Sequence, residues 1–269
     1  MAQIRIAIAG AAGRMGAANI KAVSQTPGLL VHSAFDRPGS PALGKDAGEL
    51  AGIERLGVAI GDDVAAALSG ADAVIDFTVP AASVALAQMA ARHGLVHIIG
   101  TTGCSADDNA AIAAAAAAGA RIVKTGNFSL GVNLLAGLVR KAAAALPGWD
   151  VEIVEMHHNR NVDAPSGTAL MLGAAAAEGR GISLEEHAVR SRDGHTGPRE
   201  PGTIGFATLR GGNVIGDHTV ILAGNAERIE LTHKADNRAL FADGAARAAL
   251  WAATQNPGLY TMADVLGLT

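Results

Sequence analysis

Short, almost wholly apolar runs alternate with segments of helical periodicity through the first half of the chain. Ile4–Ala9, Leu30–Phe35, Ala73–Phe77, Val96–Ile99 and Arg121–Lys124 read as strands, the first of them as a strand buried on both faces. A stretch reaching about Ser24, then Ser83–Gly94 and Asn109–Ala118, read as the helices between them. Strands alternating with helices predict a parallel, doubly wound sheet.

The pattern changes after Asn133. Leu134–Leu146 reads as a helix broken by Pro147-Gly148, and Glu152–Met156 alternates like a strand. A turn, Asp163-Ala164-Pro165-Ser166-Gly167, leads into a helix running from near Thr168 to about Glu178. A polar stretch, Ser191–Gly197, then precedes β-like segments at Ile204–Leu209, Asn213–Ala223 and Glu227–Thr232. Arg238–Trp251 reads as a last helix. The run of strands predicts a second, α+β domain at residues 130–239, for substrate binding and oligomerisation. Residues 1–129 and 240–269 are expected to form the first domain.

The first strand runs straight into Gly10-Ala11-Ala12-Gly13-Arg14-Met15-Gly16 and then a helix. Glycines there permit a tight turn and let the backbone approach a pyrophosphate, which the helix N-terminus stabilises. The spacing is G-x-x-G-x-x-G, and its place between strand and helix predicts a Rossmann-type dinucleotide site. Asp36 ends the second strand, 26 residues after Gly10, where a carboxylate can accept bonds from the ribose hydroxyls of NADH. Arg37 and Arg14 carry guanidinium groups suited to the 2′-phosphate of NADPH. The expected cofactor is therefore NADH, NADPH or both. Two polar loops, Gly100-Thr101-Thr102-Gly103 and Thr125-Gly126-Asn127-Phe128-Ser129, follow strands and so lie at the ligand edge of such a sheet. Their Thr and Asn side chains suit the nicotinamide carboxamide or its ribose.

Composition narrows the class. The 269 residues are 49% hydrophobic but only 3% aromatic, and carry a net charge of −4 with no long basic run, which argues against a nucleic-acid partner. Cys104 is the single cysteine, so neither an intrachain disulfide nor a cysteine-held metal is expected. The alanine-rich segment Ala110–Ala118 falls well short of the ~20 residues of a membrane span. No signal-peptide pattern precedes Ile4, and a soluble cytoplasmic protein is expected.

The candidate chemistry lies at His157-His158, between the alternating strand and the Pro-Ser-Gly turn. Imidazole suits proton transfer near neutrality, and the N–H groups of a helix start can hold a carboxylate. A small acidic substrate is the reading. His195, His218 and His233 are assigned no catalytic role, isolated histidines being more often structural.

These motifs together resemble the dihydrodipicolinate reductase family. Gly10–Gly16, Gly100–Gly103, Asn127–Ser129, Glu155–Thr168, Gly202–Ala207 and Thr232-His233-Lys234 carry the resemblance. It implies a homotetrameric enzyme of the diaminopimelate–lysine pathway. A nicotinamide cofactor would reduce a cyclic unsaturated dicarboxylate derived from 4-hydroxy-tetrahydrodipicolinate. His157 would be the proton donor and His158 a substrate contact, while Ser166, Gly167 and Thr168 would hold a carboxylate. Thr102 would lie between cofactor and substrate. The family pattern has a catalytic lysine where this chain has Asn161, a neutral side chain that cannot supply its charge or its proton. A reductase of another cyclic imine and a non-catalytic nucleotide-binding relative are the alternatives.

Overall fold

The computed structural model describes residues 3–268. The chain divides into two compact units, one reaching to Ser129 and resuming at Ala239–Gly267, the other comprising Leu130–Arg238 with Leu268.

The first unit begins β1 (Ile4–Ala9), α1 (Arg14–Gln25), β2 (Leu29–Phe35), α2 (Ala47–Leu50), β3 (Ile60–Gly61) and α3 (Val64–Leu68). It continues β4 (Ala73–Asp76), α4 (Pro80–His93), β5 (Val96–Ile99), α5 (Ala106–Ala117) and β6 (Arg121–Lys124). The second unit contains α6 (Leu130–Ala145), β7 (Asp150–His157), α7 (Gly167–Arg180), α8 (Leu184–His187), β8 (Ala188–Val189), β9 (Ile204–Arg210), β10 (Asp217–Ala223) and β11 (Arg228–Lys234). The chain then returns to the first unit as α9 (Ala239–Ala252), β12 (Gly258–Tyr260) and α10 (Met262–Val265).

The seven strands of the first unit form one parallel sheet in the order β3-β2-β1-β4-β5-β6-β12. This is the doubly wound 3-2-1-4-5-6 arrangement extended by one edge strand, with its topological switch between β1 and β4. Successive strand residues feed opposite layers. Ile6 and Ile8 of β1 enter the core beneath α1 and α9, whereas Ala7 and Ala9 enter the core beneath α4 and α5. Burial on both faces explains why these strands read as continuous apolar runs.

The second unit's five-stranded mixed sheet runs β11-β10-β7-β9-β8. β7 pairs antiparallel with β10 and parallel with β9. Val151, Ile153, Val220, Leu222, Ile204 and Phe206 point one way, into a core closed by α6 and α7. The opposite face carries Val154, Met156, Leu209 and Ile221, and no helix of the unit covers it.

Several boundaries differ from the sequence expectation. α5 starts at Ala106, because Ser105 and Asp108 form a capping box. α4 starts at Pro80, a residue suited to a first helical turn. The turn lies at Gly212–Asn213, residues 214–216 are irregular and the strand begins only at Asp217, while β7 extends through His157. The segment after the histidines is not extended: the Asn161 N–H donates to the His158 carbonyl at 3.0 Å, closing a turn.

Candidate active site

The nucleotide side is built around the turn from β1 into α1. Gly10 has φ +65°, and a Cβ at Gly16 would lie 2.1 Å from the Gly10 carbonyl oxygen. Only glycine lets the helix start so close to the strand end. Gly13 caps α1 with no side chain bonding the first turn, which leaves helix-start N–H groups for an anion. Ala11 N–H donates to the Phe35 carbonyl at 3.0 Å, and Ala12 N–H to the Asp36 carboxylate at 2.8 Å, so the turn is stitched to the end of β2. A cavity of about 700 Å³ opens there, bordered by Gly10, Gly13, Asp36, Arg37, Val79 and Met89. The uncapped helix start, the close glycine turn and the adjacent cavity fit a dinucleotide.

The other predicted cofactor residues divide by exposure. Arg14, Arg37, Thr102 and Gly126 are exposed and Met15 is half-buried. Thr101 is buried: its hydroxyl accepts bonds from Thr78 N–H at 3.0 Å and Ser83 Oγ at 2.8 Å and faces Asp76. Asp76, itself buried, accepts from Thr78 and pairs with buried His97 at 3.3 Å. Burial pushes the Asp76 carboxyl up, but His97 and the hydroxyls outweigh this and hold it below its ordinary range. The side chains of Thr101 and Asp76 thus fix the loops above β4 and β5. Phe128 is likewise a core residue, packed against Phe77 at 5.5 Å between ring centroids. The Asn127 side chain accepts the Ser129 N–H at 2.8 Å, shaping the loop beyond β6.

The second cluster stands at the end of β7. Residues 151, 153, 155 and 157 share one face of this strand. Val151 and Ile153 meet the helices, and Glu155 and His157 continue the row where the apolar cover ends. Glu155 is 1% exposed, and its Oε2 lies 2.6 Å from His157 Nδ1. Arg210, the register partner of His157 on β9, grips both Glu155 oxygens at 2.8 and 3.0 Å. Ser166 N–H adds a bond to Oε1 at 3.1 Å. Burial pushes the Glu155 carboxyl up, but the bonds from Arg210, His157 and Ser166 outweigh it and hold it below the usual carboxylate range. Glu155 is ionised, so His157 Nδ1 carries a proton and Nε2 is the nitrogen left to exchange. A Cβ at Gly216 would lie 3.0 Å from that Nε2, so glycine keeps this side of the ring clear.

His218 of β10 packs edge-on to His157 at 5.0 Å, with its Nε2 3.2 Å from Ser166 Oγ. Burial, then repulsion from His157, pushes His218 down to about 4, so the ring is neutral near pH 7. Ser166 caps α7, its Oγ accepting the Ala169 N–H, and points inward. Gly167 N–H faces the Asp163 carboxylate at 3.3 Å, so this helix start already holds an internal anion. Asn161 donates to the same Asp163 side chain at 2.7 Å. Thr168 is half-buried in the first turn of α7. Arg238 donates to His158 Nε2 at 3.3 Å and brings a positive charge beside it, while Arg160 reaches Asn213. Sequence reasoning missed Glu155, Arg210, His218 and Arg238 as members of this cluster. The readable signal was Glu155 itself, a carboxylate at an inward position of an apolar row.

Among the described residues no group of three or more His, Cys, Asp or Glu is placed to hold a metal ion. Among the same residues no helix is long and apolar enough to cross a membrane.

Two family models cover nearly the whole chain: "Dihydrodipicolinate reductase, N-terminus" over residues 4–128 and "Dihydrodipicolinate reductase, C-terminus" over 131–266. The chain is 62% identical over 266 residues to 4-hydroxy-tetrahydrodipicolinate reductase 1 of Mesorhizobium japonicum, covering 98% of this chain and 97% of that protein. It is 58% identical over 267 residues to 4-hydroxy-tetrahydrodipicolinate reductase of Sinorhizobium medicae, covering 98% of each. In fold it is similar to a dipicolinate-bound dihydrodipicolinate reductase from Paenisporosarcina sp. TG-14, with a TM-score of 0.77 at 22% identity, covering 96% of this chain and 97% of that one. The N-terminal unit is the NAD(P)-binding Rossmann domain of these oxidoreductases. With a doubly wound nucleotide unit, a mixed-sheet second unit and full-length matches to both family models, the chain belongs to the dihydrodipicolinate reductase family.

Proposed function

We propose that this protein reduces the cyclic unsaturated dicarboxylate formed from 4-hydroxy-tetrahydrodipicolinate to tetrahydrodipicolinate, using NADH or NADPH, in diaminopimelate and lysine biosynthesis. The single observation that carries the reading is the 2.6 Å contact of Glu155 Oε2 with His157 Nδ1, on a carboxylate that also accepts the Ser166 N–H at the start of α7. The nicotinamide, when bound, supplies a hydride. Gly10–Gly16, Asp36 and Arg37 hold its nucleotide portion, and the loops Gly100–Thr102 and Thr125–Phe128 shape the sheet edge for the rest. These roles assign residues 1–129 and 240–269 to the cofactor and 130–239 to the substrate.

His157 delivers the proton from Nε2, the nitrogen that Glu155 leaves available. The α7 N-terminus, through Gly167 and Thr168, takes one substrate carboxylate in place of Asp163, and Ser166 orders that turn from inside. His158 and Arg238 meet the other acidic group. The similar Paenisporosarcina structure is dipicolinate-bound, in keeping with such a ligand. Asn161 contributes no charge here and holds Asp163 instead.

We further propose a homotetramer assembled through the helix-free face of the mixed sheet, where Val154, Met156, Leu209 and Ile221 lie. The same reading places the enzyme in the cytoplasm with the reduced cofactor pools. The test is oxidation of NADH and of NADPH on adding 4-hydroxy-tetrahydrodipicolinate, with formation of tetrahydrodipicolinate followed directly. Turnover of a cyclic imine bearing fewer carboxylates, with none of the dicarboxylate, would assign the fold to a different reductase.

A further inference from the structure

We infer that Glu155 and Arg210 act as a positioning couple that sets the orientation and proton placement of His157 and, through the Asp163 carbonyl, the pose of the carboxylate-binding turn. The inference rests on the proposed proton-donor role of His157 and extends it to two residues that touch neither substrate nor cofactor in that scheme.

Four contacts carry it. Glu155 Oε2 faces His157 Nδ1 at 2.6 Å, a charge-assisted bond that locks the ring and commits the Nδ1 proton. Arg210 holds the same carboxylate in a two-point grip, so Glu155 cannot swing away. The second guanidinium nitrogen also donates to the Asp163 carbonyl, and Ser166 N–H donates to Glu155 Oε1. The imidazole and the turn leading into α7 are therefore referenced to one ion pair, the buried Glu155 carboxylate and the half-buried Arg210 guanidinium.

Glu155 is not itself the proton donor. It is buried, ionised, and bonded by four N–H groups from Arg210, His157 and Ser166. A residue so occupied works through His157. The charged or titratable groups facing the ring are Glu155 on its own strand, Arg210 from β9 and neutral His218 from β10. Arg210 matters for charge as well as place. An unshielded Glu155 overstabilises the charged ring, and an unpaired Arg210 repels it.

Opposite charge changes then move the alkaline edge of the kcat profile in opposite directions. Glu155→Gln lowers kcat roughly a hundredfold, leaves the NADH dissociation constant within twofold, and moves the alkaline edge of the kcat profile to lower pH. Arg210→Met moves that edge to higher pH. Damage to the fold shifts both variants the same way or not at all. The readout independent of turnover is the ring ¹⁵N spectrum of His157, assigned with His157→Gln. In the wild-type chain neutral His157 shows the Nδ1–H tautomer, and in Glu155→Gln this preference is lost. A wild-type Nε2–H tautomer overturns the inference even if no variant folds. So does a folded Glu155→Gln chain with unchanged kcat and pH profile. If the wild-type chain binds cofactor and shows the Nδ1–H tautomer but turns over no substrate, it is the proposed reaction that fails.

Discussion

The Asp36 carboxylate accepts the Ala12 N–H at 2.8 Å, joining the end of β2 to the glycine turn that opens α1. Its other oxygen accepts the Arg37 N–H at 2.8 Å. One side chain thus orders the turn while presenting a negative edge to the nucleotide cavity. Asp36→Ala removes both effects. The NADH dissociation constant is expected to rise roughly tenfold, the scale of one charge-assisted hydrogen bond. NADPH is expected to lose less, because the repulsion between carboxylate and 2′-phosphate disappears with the side chain. Titration calorimetry with both cofactors checks this; equal losses would show that Asp36 only orders the turn.

Gly16 leaves no room for a side chain. Its added Cβ would meet the Gly10 carbonyl and the Ala11 backbone at 2.1 to 2.8 Å. Backbone on both sides means that the turn itself must open. Gly16→Ala is therefore expected to weaken both nicotinamide cofactors at least about tenfold and to lower Tm, whereas Gly39→Ala, with nothing near its Cβ but φ +77°, affects only local strain. A Gly16→Ala chain that binds NADH normally contradicts the close-turn account.

His218 makes the fold sensitive to mild acid. Its value falls from 6.5 to about 4 on folding because the ring is buried and faces His157. Between those values the unfolded chain binds a proton that the folded chain refuses, so this contribution lowers stability as pH drops from 6.5 towards 4 and is flat above 6.5. Its size is on the order of a few kcal/mol across the window. Urea unfolding at pH 7 and pH 5 should show this loss for the wild-type chain and a smaller one for His218→Gln. An equal loss in both assigns the acid sensitivity elsewhere.

Much of the first unit was legible in the sequence, for a physical reason. Strands covered on both faces are apolar at most positions, so β1, β4 and β5 stand out without periodicity analysis, Asp76 and His97 being the buried exceptions. β3 and β12, two and three residues long, carry too few positions for any pattern and were missed. The Ser105–Asp108 capping box was readable, yet the alanine run behind it drew the expected helix start three residues late. In the second unit the paired histidines and the Pro-Ser-Gly turn were visible as local strings. Arg210 was not, because it reaches Glu155 across 55 residues of chain through the β7–β9 register. Nor was His218, which enters from β10 opposite Glu155. A site assembled by strand pairing becomes legible only when the register is known.

The central claim is that His157 is the proton donor of a nicotinamide-dependent reductase. Its most direct test is steady-state turnover of 4-hydroxy-tetrahydrodipicolinate by the wild-type chain, His157→Gln and Asn161→Lys, with NADH binding measured on each. The account predicts that the wild-type chain turns over and that His157→Gln loses roughly a hundredfold or more in kcat with NADH binding unchanged. It also predicts that Asn161→Lys raises kcat by adding a charged donor beside the carboxylate-binding turn. A wild-type chain that binds NADH without turnover, or a His157→Gln chain as active as the wild type, would contradict it.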